Sequence, residues 1–182
     1  MREHVCPWWG GYFIDNRLRR LLHNPEKTLA PYVHTGMTVM DFGCGMGFFS
    51  IAMAKLVGDS GRVIAVDSQQ KMLNVLKKRS ERAGVASRIR THRCERDSLG
   101  VEDPVDFVLA FWSAHEVPDM RRFLTDSHRC LVTGSTMLVV EPRGHVSEED
   151  FEAMTSTARE LGLRPGQKPR VRFSHAMTFV KE

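Results

Sequence analysis

The chain has 182 residues, 42% of them apolar and 26% charged, the balance of a single globular domain that buries a core without staples. Its net charge of +4 is too mild to argue for nucleic acid, and no apolar run approaches the ~20 residues of a membrane helix. Met1-Arg2-Glu3-His4-Val5-Cys6 opens without a long apolar run, so a cytoplasmic protein is expected rather than a secreted one. Cys6, Cys44, Cys94 and Cys130 form no CxxC pair. They read as reduced, buried thiols, and no metal site is expected.

A lead segment, residues 1–35, comes first. Leu18, Leu21 and Leu22 recur there at helical spacing, and Asn24-Pro25 reads as an N-cap with proline at the first helical position. Trp8, Trp9, Tyr12 and Phe13 form an aromatic cluster that either packs the lead segment onto the core or lines a lid over a cationic ligand.

From Thr38 the pattern alternates. Residues 38–42 form an apolar strand, followed by a glycine loop and a helix over 48–57. A turn at Gly58-Asp59-Ser60-Gly61 leads to a second buried strand, 62–67. Ser68 can cap a helix carrying Met72, Leu73, Val75 and Leu76, with Gly84 ending it. Residues 89–94 and 105–111 follow as the third and fourth strands. Pro118 opens a helix with Met120, Phe123 and Leu124, which closes near Leu131. The turn Thr133-Gly134-Ser135 precedes a fifth strand, 137–141. Ser147 with Asp150 resembles a capping box for a helix over 148–161.

Alternating strands and helices imply parallel βαβ units covered on both faces. The tail breaks this rule: residues 168–174 and 176–181 read as a closing hairpin, which puts a reversed strand at the far edge, where Pro165 and Pro169 are tolerated. The expected fold is a doubly wound α/β domain with a mostly parallel seven-stranded sheet and an antiparallel last strand. It forms one domain, with 36–182 as the core.

The most informative run is Asp41-Phe42-Gly43-Cys44-Gly45-Met46-Gly47, which leaves a buried strand and enters a helix. Glycines there let backbone approach a ligand closely, and the helix start presents N–H groups. Asp67 closes the second strand about 20 residues on, where a carboxylate can accept both hydroxyls of a ribose. A lone glycine loop can be a tight turn and nothing more. This one is joined by a strand, a helix, a second strand and a terminal acid in the right order, so a nucleoside-containing ligand is expected. The spacing is GxGxG rather than the GxGxxG of nicotinamide sites.

An acid followed by GxGxG resembles the first motif of the class I S-adenosylmethionine-dependent methyltransferases, and the Thr35-Gly36-Met37-Thr38-Val39 lead-in resembles the turn before it. The resemblance covers about residues 35–182. It implies S-adenosylmethionine as cofactor and S-adenosylhomocysteine as product. Its site residues carry over as Asp41, Gly43, Cys44, Gly45 and Gly47 in the loop, with Asp67 and Ser68 at the ribose. Cys94-Glu95-Arg96-Asp97-Ser98-Leu99 resembles the segment flanking the adenine, with Glu95 at the acidic position; Cys94 and Arg96 depart from the usual Gly-Asp-Ala. Phe111, closing the fourth strand, joins the cofactor set.

Methyl transfer from a sulfonium needs alignment and dryness more than acid–base groups. Two segments follow strand ends where ligands bind in such sheets: Phe111-Trp112-Ser113-Ala114-His115 and Glu141-Pro142-Arg143-Gly144-His145. His115 and His145 are the catalytic candidates, since imidazole titrates near neutrality. Either histidine can equally be structural, and Arg143 a solvated surface cation. The basic run from Lys71 to Arg93 lacks interleaved aromatics and reads as a solvated face. No Asn-Pro-Pro-aromatic tetrad follows the fourth strand, which disfavours amino groups of DNA bases and of glutamine amides as targets.

The reading is a methyltransferase acting on a small-molecule acceptor, without a membrane or nucleic-acid partner. The alternatives are an RNA or protein methyltransferase, or a non-catalytic S-adenosylmethionine-binding module. A nicotinamide oxidoreductase is disfavoured by the loop spacing. Acceptor atom and oligomeric state stay open.

Overall fold

A computed structural model describes residues 23–95 and 97–182. The expectations for Leu18, Leu21 and Leu22, the Trp8–Phe13 cluster, Cys6 and Arg96 lie outside the described residues. The chain divides into two compact units, one ending at Cys94 and one running from Glu95 to Glu182.

Among the described residues of the first unit, the first helix is α1 (Pro25–Leu29), whose N-cap Asn24 accepts the Lys27 N–H at 3.0 Å. Strand β1 (Thr38–Phe42) leads through the glycine loop into helix α2 (Phe48–Leu56). Strand β2 (Arg62–Asp67), helix α3 (Gln70–Arg82) and strand β3 (Ile89–Arg93) follow. The three strands are parallel in the order β3-β2-β1, with Val39 opposite Val63 and Val63 opposite Ile89. Strands β1 and β2 are buried along almost their whole length, as continuous apolar runs in a parallel sheet require. Met72, Leu73, Leu76 and Ser80 form the inner stripe of α3, spaced as one face of a helix.

The second unit contains β4 (Val105–Phe111), helix α4 (Met120–Cys130), β5 (Leu131–Pro142), helix α5 (Glu148–Glu160), β6 (Leu163–Pro165) and β7 (Ser174–Lys181). Its strand order is β4-β5-β7-β6, and β7 is antiparallel to both neighbours. The protein thus has the mostly parallel seven-stranded sheet with a reversed last strand that the sequence led us to expect.

Three local expectations are corrected. First, residues 168–174 are not a strand. Gly162 (φ +81) turns the chain straight from α5 into β6, and Gly166 and Gln167 then bond to Thr178. The alternation Arg170-Val171-Arg172-Phe173 imitates a strand, yet Phe173 is 63% exposed; Pro169, immediately before the run, lacks the N–H donor a ladder needs. The reversed strand is therefore one place in from the edge, and β6 with Pro165 is the edge.

Second, β5 starts at Leu131 and absorbs the expected turn at 133–135. Leu131 pairs with Val105 and Thr136 with Phe107, with an irregularity between them; Gly134 (φ +82) accommodates it as a bulge does. Third, Ser68 does not cap α3. The cap position is Gln69, and the Gln69 N–H donates to Asp67 Oδ1 at 2.8 Å, an Asx turn that leaves the Ser68 hydroxyl without a capping role.

The capping box of α5 forms: Ser147 Oγ accepts the Asp150 N–H at 3.0 Å and donates to Asp150 Oδ2 at 2.7 Å. Ser147→Ala should cost about 1 kcal/mol. That loss would appear as a lower urea midpoint with unchanged slope. Among the described residues no helix is long and apolar enough to cross a membrane.

Candidate functional site

The first unit places a cradle at the C-terminal ends of β1 and β2. Gly43, Gly45 and Gly47 all have positive φ, at +67°, +52° and +90°, and the last two serve different ends. A Cβ on Gly45 would meet nothing within 4 Å, so this backbone borders open space. A Cβ on Gly47 would fall 2.1 Å from Leu76 Cδ1. Gly47 is therefore glycine because α3 packs directly against the start of α2.

Asp67 is the polar centre of the cradle. It is 8% exposed, and its two oxygens are held apart: Oδ2 accepts the Gly45 N–H at 2.9 Å and Oδ1 the Gln69 N–H at 2.8 Å. Burial pushes its carboxyl above the usual range, while the two backbone N–H groups oppose that. Each ionised oxygen offers about two acceptor positions. One N–H on each leaves room for a pair of hydroxyls.

Asp41 lies beneath this surface. It is 2% exposed and accepts the Ser50 hydroxyl at 2.5 Å, tying β1 to α2. Cys44 is 6% exposed, and its N–H donates to Val66 O at 3.0 Å. Burial, then Asp41, Asp67 and Cys94, push its thiol well above the ordinary range, which describes an inert thiol. Ser68 is partly buried, and its carbonyl accepts from Arg93 at 3.4 Å. Of the basic run, Arg79 donates to Met46 O in the glycine loop, and Arg88 holds Ala54 O and Asp59. Lys71, Lys77, Lys78, Arg82, Arg90 and Arg93 are exposed.

In the second unit Glu95 is exposed and bridges to Ser98, while Phe111 is buried with its ring 5.5 Å from that of Trp112. The ends of β4 and β5 and the start of β7 gather a second group. His115, on the short 3-10 turn Ala114–Glu116, is hydrogen-bonded through Nδ1 to Glu141 Oε2. Glu141 is 2% exposed, and its other oxygen accepts the Ala114 N–H at 2.9 Å. Burial would lower the His115 pKa, but the hydrogen bond and charge of Glu141, with the charge of Glu116, outweigh it and hold the imidazole above its usual value. The exposed His145 ring stands edge-on to His115 at 5.4 Å. Both histidines singled out in the sequence therefore meet. Trp112, at φ +59°, donates its indole N–H to the buried Ser174 hydroxyl at 3.0 Å.

Sequence reasoning passed over Glu141 except as a neighbour of His145. A signal existed: Glu141 closes the apolar run Met137–Val140 as Asp67 closes Val63–Val66. An acid that ends a buried parallel strand lies where ligands bind. The Trp112–Ser174 bond joins residues 62 apart and had no local signal.

A glycine loop after the first strand and an acid closing the second, on a mostly parallel sheet with a reversed β7, are the arrangement of the class I S-adenosylmethionine-dependent methyltransferases. Residues 33–172 match the family described as "Methyltransferase domain", and the chain belongs to that family. It is 31% identical to the demethylmenaquinone methyltransferase of Lactobacillus johnsonii over 131 residues, 71% of this chain and 50% of that one. It is 34% identical to the ubiquinone/menaquinone biosynthesis C-methyltransferase of Cellvibrio japonicus over 60% of this chain and 44% of that one. The chain spans about half the length of the curated relatives it matches. In structure it is similar to a SAM-dependent methyltransferase from Aquifex aeolicus, with a TM-score of 0.88 and 24% identity over 98% of this chain and 100% of that one. At that identity the likeness concerns the fold.

Proposed function

We propose that this protein transfers a methyl group from S-adenosylmethionine to a small-molecule acceptor. The observation that carries the reading is Asp67, a buried carboxylate with one N–H on each oxygen, beside open space at Gly45. That arrangement fits a ribose diol, and the cofactor supplies an already activated methyl group. Asp67 accepts the two hydroxyls, while Gly45, lacking a side chain, leaves space for the nucleoside. Gly43, Cys44 and Gly47 shape the loop, Asp41 anchors it from below, and Ser68 lines its rim. Glu95, Arg96 and Phe111 are assigned to the cofactor by resemblance.

His115 is the proposed proton acceptor, with His145 beside it. A base is of use only where the acceptor loses a proton on methylation. Small molecules are favoured because relatives sharing this stretch of sequence are named for quinones and quinone biosynthesis. We place the protein in the cytoplasm, with no nucleic-acid partner.

Calorimetric titration with S-adenosylmethionine, S-adenosylhomocysteine and NADH tests the reading. Micromolar binding of the first two and none of the third is expected; binding of NADH alone would overturn it.

A further inference from the structure

The proposed function gives the buried charge of Glu141 no task. Glu141 is 2% exposed, and an isolated carboxylate so far from water is costly unless its oxygens are satisfied. Both are: Oε1 by the Ala114 N–H, Oε2 by the His115 ring. The backbone contact alone would be served by a neutral acceptor, so the charge needs its own reason.

We propose that Glu141 is a positioning residue that holds His115 in the Nδ1–H tautomer and turns the Nε2 lone pair outward as the proton-accepting atom. The inference rests on the methyltransferase reading and narrows the acceptor to compounds that release a proton on methylation. The bond to that proton breaks, its electron pair stays on the acceptor, and the proton forms an Nε2–H bond, leaving an imidazolium beside the Glu141 carboxylate.

The geometry decides the tautomer. An ionised carboxylate only accepts, so the ring nitrogen facing it carries the proton and the opposite one is free. Oε1 cannot rotate away without abandoning Ala114, whose N–H is buried. The charges facing the ring are Glu141 from β5 and Glu116 from its own turn, with His145 edge-on from the loop after β5. The two carboxylates favour the imidazolium, so His115 should be a competent base on the alkaline side of its titration.

Glu141→Gln makes a specific prediction. The Ala114 N–H still needs an acceptor, so the amide oxygen takes the place of Oε1 and the NH2 group faces His115. Nδ1 must then accept, which drives the proton to Nε2. The same reversal is the known effect of replacing the orienting acid in a Ser-His-Asp triad with its amide.

The test is nitrogen-15 NMR of histidine-labelled protein, with the His115 signals assigned by their loss in His115→Gln. Wild type should show the Nδ1–H tautomer above the titration midpoint. Glu141→Gln should show the Nε2–H tautomer and a midpoint at lower pH. Diethyl pyrocarbonate should modify Nε2 of wild-type His115, located by mass spectrometry, and this modification should be lost in Glu141→Gln. An Nε2–H wild type overturns the proposal even if the variant does not fold, and so does a wild-type His115 that resists the reagent. Calorimetry on the same wild-type sample separates the two claims. Failure to bind S-adenosylmethionine removes the function while leaving the tautomer measurement to stand or fall alone.

Discussion

Asp67→Ala should weaken S-adenosylmethionine binding by about 100-fold, the largest effect expected of any single change in the cradle. Two hydroxyl bonds to a charged acceptor contribute about 1.5 kcal/mol each at least, and about 3 kcal/mol is two decades in affinity. The mutation also strips the acceptor from two backbone N–H groups, at Gly45 and Gln69. Some loss of stability will accompany it, because these donors help shape the loop. Asp67→Ser separates the two effects: its hydroxyl can still accept one N–H while lacking the second oxygen a ribose diol requires. Calorimetry together with thermal melts reads both quantities. Wild-type affinity in either variant, with the fold intact, would remove Asp67 from the ribose.

Gly47→Ala should destabilise the fold by about 3 kcal/mol, combining the strain of a non-glycine residue at positive φ with overpacking. The added methyl would sit 2.1 Å from Leu76 Cδ1 at φ +90°. Leu76 is fully buried and packs with Cys44, Ala65 and Leu73, so its tip has nowhere to swing. Gly45→Ala is the control, because its Cβ meets nothing within 4 Å at φ +52°. It should cost only the backbone strain, about 1 kcal/mol, while projecting into the space proposed for the nucleoside. The pair should therefore separate, Gly47→Ala losing urea stability and Gly45→Ala losing cofactor affinity. Equal loss of stability in both would mean that the loop is a tight turn and no more.

The sequence by itself determined the elements whose signal is local. Strands β1, β2 and β4 were legible as continuous apolar runs, since a strand buried on both faces has no polar alternation to blur it. The caps at Asn24 and Ser147 were legible because capping is a contact between residues three apart. The glycine loop and Asp67 were legible for a related reason. A sharp turn with close backbone approach admits few residue types, and the acid's position follows from strand length.

What only the tertiary structure decided was pairing. Residues 170–173 alternate as a strand would, but the ladder partner of β7 on its outer side is Leu163–Pro165; alternation reports a segment's faces and never its neighbour. The same holds for the cap of α3. Ser68 has the right chemistry one residue too early, and Asp67, fixed by the end of β2, reaches the Gln69 N–H first. Glu141 and His115 are 26 residues apart. They meet because β5 lies beside β4 in register, with Val140 opposite Phe111, so that both strands end at one level. Register is settled by the burial of whole strands against one another, and no window of local sequence contains that sum.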